Sequence, residues 1–168
     1  MGRCVQALKQ WTGKASATII YDSTVDEFTL DGLFNKVKGK PNIALIGFTT
    51  DGDVFGGFYS VAVTRQERDF YDPNMFAFSF ESHGRCETPQ KFAVKEKLKE
   101  TACVCLSSFA DGDFVVFWVD DVSGFYLGNE KSETYCANLS DGFEGIEDTT
   151  LTGKSFPQYH HCTRLVAV

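Results

Sequence analysis

The chain has 168 residues, 43% of them hydrophobic and 16 of them phenylalanine. That is enough apolar material for a single domain over 1–168 with a sizeable core, and too much for a disordered chain. The formal net charge of −7 speaks against a broad nucleic-acid footprint and against attraction to anionic membranes.

No apolar run reaches membrane-spanning length and the N-terminus lacks a signal-peptide core, so a cytoplasmic protein without membrane insertion is expected. Residues 3–11 place Cys4, Leu8 and Trp11 on one helical face, with Arg3, Gln6 and Lys9 elsewhere. "ASATIIYDS" (15–23) reads as a strand. In "DEFTLDGLFNKVKG" the period changes. Leu30, Leu33, Phe34 and Val37 fall at helical spacing, and Gly39 with Pro41 closes the helix. "NIALIGFTT" (42–50) is apolar on both faces and predicts a central strand. "TDGD" (50–53) is an Asp-Gly turn, and "VFGGFYSVAV" returns as the second arm of a hairpin. "TRQERDFYDPN" reads as a polar loop. "MFAFSFES" (75–82) sets Phe76, Phe78 and Phe80 on one face and Met75, Ala77 and Ser79 on the other. Residues 84–92 read as irregular. "TACVCLSSF" predicts a strand, "ADGD" (110–113) a second Asp-Gly turn, and "FVVFWVDD" another central strand. "SGFYLGN" and "ETYCAN" predict shorter strands, 139–158 an acidic connection, and "HHCTRLVAV" a closing strand. Short strands dominate and βαβ alternation is absent. The predicted class is α+β, mainly β: a two-sheet antiparallel β-sandwich with peripheral helices.

Gly56 and Gly57 stand together inside the second hairpin arm. Glycine in a strand interior packs nothing and loses more chain entropy than any other residue. Two reasons for the pair are open: a neighbouring element packed directly onto backbone, or contact with a ligand.

Motifs for chemistry are sparse. "DGDVFGGFYSVA" begins like a calcium loop with Asp51, Asp53 and Gly56, but Phe55 and Ala62 hold positions that need oxygen ligands. Asp111 and Asp113 fit worse, because Val116 takes the glycine position. Hairpin turns account for both. The cysteines (Cys4, Cys86, Cys103, Cys105, Cys136 and Cys162) show no CxxC spacing and suit thiols in a reducing compartment. Cys103 and Cys105 point to one sheet face. With His160, His161 and Cys162 they offer zinc-ligand chemistry, but at a spacing that matches no zinc pattern. A redox thiol needs only exposure and a depressed pKa. Cys86, beside Arg85 and near His83 in "SHGRCE", is that candidate. There is no GxSxG elbow, phosphate loop or dinucleotide fingerprint, and no catalytic set, metal or cofactor is expected. "MGRCVQ" approaches a myristoylation signal but has Gln6 where Ser or Thr is wanted.

The order of the segments adds to this. "LKQWTG" (8–13), "ATIIYDSTVDEFTLDGLFNKVKG" (17–39), "PNIALIGFTTDGDVFGGFYS" (41–60), "NMFAFSFES" (74–82), "SGFYLGN" and "TTLTGKSFPQYHHCTRLVAV" follow one another. In that order they resemble the TLDc domain, the module at the C-terminus of oxidation-resistance proteins. Phe55, Gly56, Gly57 and Phe58 form the stretch most recognisable in that family. Two departures are visible. "SVAVTRQ" follows where an aromatic residue is expected, and Arg164 stands near a position that tends to be acidic.

The resemblance implies a non-enzymatic protein-interaction module linked to oxidative-stress resistance, with V-ATPase (the vacuolar proton pump) subunits as candidate partners. The polar loops 64–74 and 140–150 are the candidate contact surfaces, with Arg65, Glu67 and Arg68 as residues to test. Two other classes stay open. One is a thiol-based redox enzyme using Cys86. The other is a DNA-associated stress-response regulator, which the net acidity disfavours.

Overall fold

The computed structural model describes residues 2–109 and 112–168. Helix α1 (Gly2–Thr12) buries Leu8 and lays Trp11 on a sheet. The strand expected over 15–23 is shorter, because only β1 (Tyr21–Asp22) pairs with a neighbour. Just upstream, the Ile20 amide still donates to the Ala167 carbonyl at 2.9 Å and its side chain packs against the main core, but Ile19 is exposed. Helix α2 (Leu30–Val37) forms where the spacing placed it and buries Leu30, Leu33 and Val37. The Thr29 hydroxyl caps it by accepting from the Gly32 amide at 3.1 Å.

Strands β2 (Ile43–Thr49) and β3 (Val54–Tyr59) form the expected hairpin, with Leu45 opposite Gly57 and Ile46 opposite Gly56. The second arm stops at Tyr59 rather than running on to Val63. Ser60 leaves the ladder, and its amide and hydroxyl both donate to the carboxylate of Asp72, which is fully buried. A short strand, β4 (Phe70–Tyr71), forms inside the stretch read as a polar loop, and another, β6 (Gln90–Ala93), starts within the stretch read as irregular. Between them lies β5 (Phe76–Glu81). A short 3-10 helix (Glu96–Thr101) leads into a meander of β7 (Cys103–Phe109), β8 (Gly112–Val119), β9 (Ser123–Leu127) and β10 (Tyr135–Ala137). The turn read at 110–113 begins at Ala110 and Asp111, which lie outside the described residues. A helical turn, α3 (Leu139–Gly142), and a long connection precede β11 (Cys162–Ala167).

The strands build two antiparallel sheets, ordered β1-β11-β2-β3-β5-β6 and β10-β9-β8-β7-β4. Strand β2 is apolar on both faces because Ile43 and Leu45 enter the main core while Ala44 and Ile46 enter an apolar layer under α1; β8 turns Val115, Phe117 and Val119 into the main core and Val116 and Trp118 to the other face. The main core lies between the sheets and includes Leu45, Phe55, Tyr59, Phe117 and Phe125. A second apolar layer lies outside the first sheet, under α1. Phe76, Phe78 and Phe80 point into this layer, while Met75 and Ala77 point into the main core. Trp11 stacks on Phe80 at 5.8 Å and meets Phe76 edge-on at 6.3 Å. Among the described residues no helix is long and apolar enough to cross a membrane.

Candidate functional site

The glycine pair sits where both faces of β3 are crowded. Gly57 faces the main core. A Cβ there would stand 2.6 Å from Phe117 Cε1 and 2.8 Å from Cδ1 and Cζ. The Phe117 ring cannot easily retreat, since it stacks on Phe125 at 4.9 Å. Gly56 faces the α1 side. A Cβ there would run into the Leu45 carbonyl of the paired strand and lie 3.0 Å from Phe78 Cζ. Close approach therefore accounts for both glycines. What packs on Gly57 is a ring from the opposite sheet. Phe55 is buried in the main core, and Phe58 in the layer under α1.

The two aspartates of the hairpin turn diverge. Asp53 is buried, and its Oδ1 accepts from Arg85 Nη2 and lies 3.0 Å from His83 Nδ1. Arg85 also donates from Nε to the Thr150 carbonyl at 2.9 Å, so it fastens the segment after β5 to the long connection. A carboxylate this deep needs such a cation. Asp51 turns the other way, to Lys154 Nζ at 3.3 Å, and Lys154 holds its carboxyl below the usual range. His160 is buried beside it, with Nδ1 2.9 Å from Asp51 Oδ2 but without hydrogen-bonding geometry. Burial pushes this imidazole below its ordinary pKa. The calcium-like spacing thus sends its carboxylates to separate cations.

The sulfurs and histidines named from sequence are also separated. Cys103 and Cys105 share one face of β7, as their spacing requires, and both are buried. Burial, reinforced by the nearby Asp69 carboxylate, pushes their thiols up to about 12 and about 11. Cys136 and Cys162, buried in the main core, are pushed up to about 12 and about 11. His161 Nδ1 lies 3.0 Å from the Ser132 carbonyl. Among the described residues no group of three or more His, Cys, Asp or Glu side chains is placed to hold a metal ion. Cys4 and Cys86 are half-buried and line one broad groove of about 1020 Å³ with Phe48, Val54, Phe80 and Arg164. Burial raises the Cys4 thiol. Arg164, the departure noted in sequence, clamps Asp22 through Nε at 3.0 Å and through Nη2, with its guanidinium 5.1 Å from the Phe48 ring. Arg164 holds the Asp22 carboxyl at about 2.

Loop 64–69 is fastened to the body. Glu67 adopts φ 55°, and its carboxylate accepts from the Ser107 hydroxyl, the Ser108 amide at 2.6 Å and the Ser108 hydroxyl at 3.0 Å. These donors, Ser107 foremost, hold Glu67 below the usual carboxylate range. Gln66 Nε2 donates to Asp31 Oδ1 at 2.7 Å, tying the loop to α2. Arg65 and Arg68 are exposed on this pinned loop. Of the residues named from sequence, Glu67 is therefore an anchor, and the two arginines are what the loop presents. Sequence reasoning named Cys86 and passed over Arg85 and Asp72 as structural groups. Their partners are 32 and 12 residues away, which no local pattern encodes. In loop 140–150, Asp148 accepts from the amide and hydroxyl of Ser140, each at 2.8 Å.

A family model described as the TLDc domain matches residues 4–161. No curated protein matches the chain.

Proposed function

From the premise that this chain belongs to the TLDc domain family, we propose that it is a non-enzymatic protein-interaction module of the cytoplasm. It is linked to oxidative-stress resistance, and its partners are V-ATPase subunits. Loop 64–69 is the observation that supports this reading most. It presents exposed Arg65 and Arg68 on a backbone already held by Glu67 and Gln66. A pre-ordered loop loses less conformational freedom on binding than a free one. Arginines are among the residues that most often dominate interface energy. The acidic groups best placed for chemistry, Asp53, Asp22 and Glu67, are already engaged by Arg85, Arg164 and the two serines.

The test is capture of native V-ATPase subunits from lysate with the purified chain, read by mass spectrometry. The wild type is expected to enrich pump subunits, and the Arg65→Ala/Arg68→Ala double variant to retain about a tenth of that. Equal capture by both, or no pump subunit, overturns the proposal. A Gly57→Val sample exposes signal that comes from misfolding.

One observation favours a second reading as a thiol-based redox protein: Cys4 and Cys86 open onto the same groove. Rapid single-site alkylation of Cys86 at neutral pH supports that reading, and labelling no faster than a free peptide cysteine removes it.

A further inference from the structure

We propose that the outer face of the second sheet, the one turned away from the core, docks a basic, Lys/Arg-rich segment of a partner protein. The first sheet covers its outer face with α1. The second carries instead a ladder of aromatic rings. The register puts Tyr71, Cys103, Trp118 and Gly124 in one cross-strand row and Cys105, Val116, Tyr126 and Tyr135 in the next, all on the outer face. Trp118 meets Tyr126 edge-on at 5.0 Å, Tyr126 stacks on Tyr135 at 4.3 Å, and Tyr135 lies 5.6 Å from Phe156. The Trp118 ring leans over Gly124, where a Cβ would come within 3.0 Å of its Cε3.

These rings shield Val116 and the two thiols beneath them while remaining partly in solvent. Trp118, Tyr126 and Tyr135 are half-buried, and Tyr71 and Phe156, at the two ends of the ladder, are 62% and 63% exposed. Rigid aromatic area that is partly wet is what protein interfaces enrich.

The rim decides the partner. Glu67 is fastened beside β7, Asp69 sits directly before β4, Asp121 lies in the turn after β8, and Glu133 precedes β10. All four are exposed. The carboxylates lie close enough to act on the groups of this face: Asp69 and Asp121 on the Cys103 thiol, Asp69 and Glu67 on Cys105, and Glu133 on Tyr135. Arg65, Arg68 and Lys131 are the cations close by in sequence, and with exposed Asp120 and Glu130 on the same segments the rim stays acidic, six carboxylates to three cations. Ring faces attract cations, and carboxylates at their edges pair with the same groups, so Arg and Lys side chains laid along the ladder meet both. The same rim repels phosphate backbones, and it repels a second copy of a chain that carries −7.

The inference rests on the interaction-module reading, and its test is read apart from pump capture. A labelled peptide of alternating arginine and leucine is titrated by fluorescence anisotropy into the full chain, beside a counterpart with glutamate for arginine. Amide shifts are followed by NMR. We expect the arginine peptide alone to bind, with shifts clustered on β4, β8, β9 and β10. Trp118→Ala should weaken binding about tenfold or more. Asp69→Asn/Glu133→Gln, which leaves the rings in place, should weaken it to a similar degree and flatten its salt dependence. Glu87→Gln, an exposed position between β5 and β6 of the first sheet, should change nothing.

Binding that ignores Trp118 and the rim carboxylates overturns the proposal, as does equal binding of the glutamate peptide or of single-stranded oligothymidine. So does a concentration-dependent dimer that Trp118→Ala dissolves, since the occupant is then a second copy. A chain that captures pump subunits yet leaves the arginine peptide free removes this inference alone.

Discussion

Replacing Gly57 by valine tests the packing on which the fold depends. The Cβ would stand 2.6 Å from Phe117 Cε1, whereas carbon atoms sit comfortably about 3.5–4.0 Å apart. The ring would have to withdraw by roughly 1 Å before either γ-methyl is placed. Phe117 is fully buried, stacked on Phe125 at 4.9 Å and tilted against Tyr59 at 6.3 Å, so its motion spreads into both sheets. Overpacking of this kind costs about 1–3 kcal/mol, and a β-branched residue belongs at the upper end. Removing a strand glycine returns about 0.5–1 kcal/mol of chain entropy, which offsets only part of this. The net loss is about 2 kcal/mol, or a fall in melting temperature of roughly 4–8 °C for a chain of this size. Calorimetry measures it. Adding Phe117→Leu should recover part of the loss, because the two side chains compete for one volume. A Gly57→Val variant that melts within about 2 °C of the wild type refutes the close-approach account.

Gly56→Ala should be worse than Gly57→Ala, because the added Cβ meets the Leu45 carbonyl of the adjacent strand rather than a ring that can tilt. Soluble yield and urea midpoints order the two. Arg85→Ala strands Asp53 with only half-exposed His83 beside it, and should cost about 3–5 kcal/mol by urea denaturation. Adding Asp53→Asn to Arg85→Ala should restore part of that. Asp22 titrates at about 2 when folded against an ordinary 3.8, so its contribution is complete above 3.8 and is lost as pH falls towards 2. Melting curves across that window should converge for the wild type and Asp22→Asn as acid is added. At neutral pH, Cys103, Cys105, Cys136 and Cys162 should resist alkylation until the chain unfolds, while Cys4 and Cys86 label first, as peptide mass spectrometry reports.

The periodic parts of the fold were legible. The spacing of Leu30, Leu33, Phe34 and Val37 gave α2, and two-sided apolar runs marked the central strands β2 and β8. Edge elements were less legible. A two-residue strand such as β4 needs only one neighbour, and its sequence carries the charge of the loop around it. The run over 15–23 looked like a strand because apolar residues occur there, yet a strand forms only where a ladder and a second layer receive it. The faces of "MFAFSFES" were readable, but not which of them met the core, since two apolar layers compete for that strand. In the candidate site, the glycine pair signalled its crowding through the absence of side chains. The pairing of Asp53 with Arg85 and the anchoring of Glu67 on Ser107 and Ser108 join distant segments and leave no periodic trace. The aromatic ladder takes one ring from each of β8, β9 and β10, so it becomes a surface only once their register is known.

The most direct test of the interaction-module account is hydrogen–deuterium exchange of the full chain alone and mixed with purified V-ATPase. The account predicts new protection over residues 64–74, diminished in the Arg65→Ala/Arg68→Ala variant while the rest of the exchange pattern stays native. Unchanged exchange at saturating V-ATPase, or protection that leaves 64–74 untouched, would contradict it.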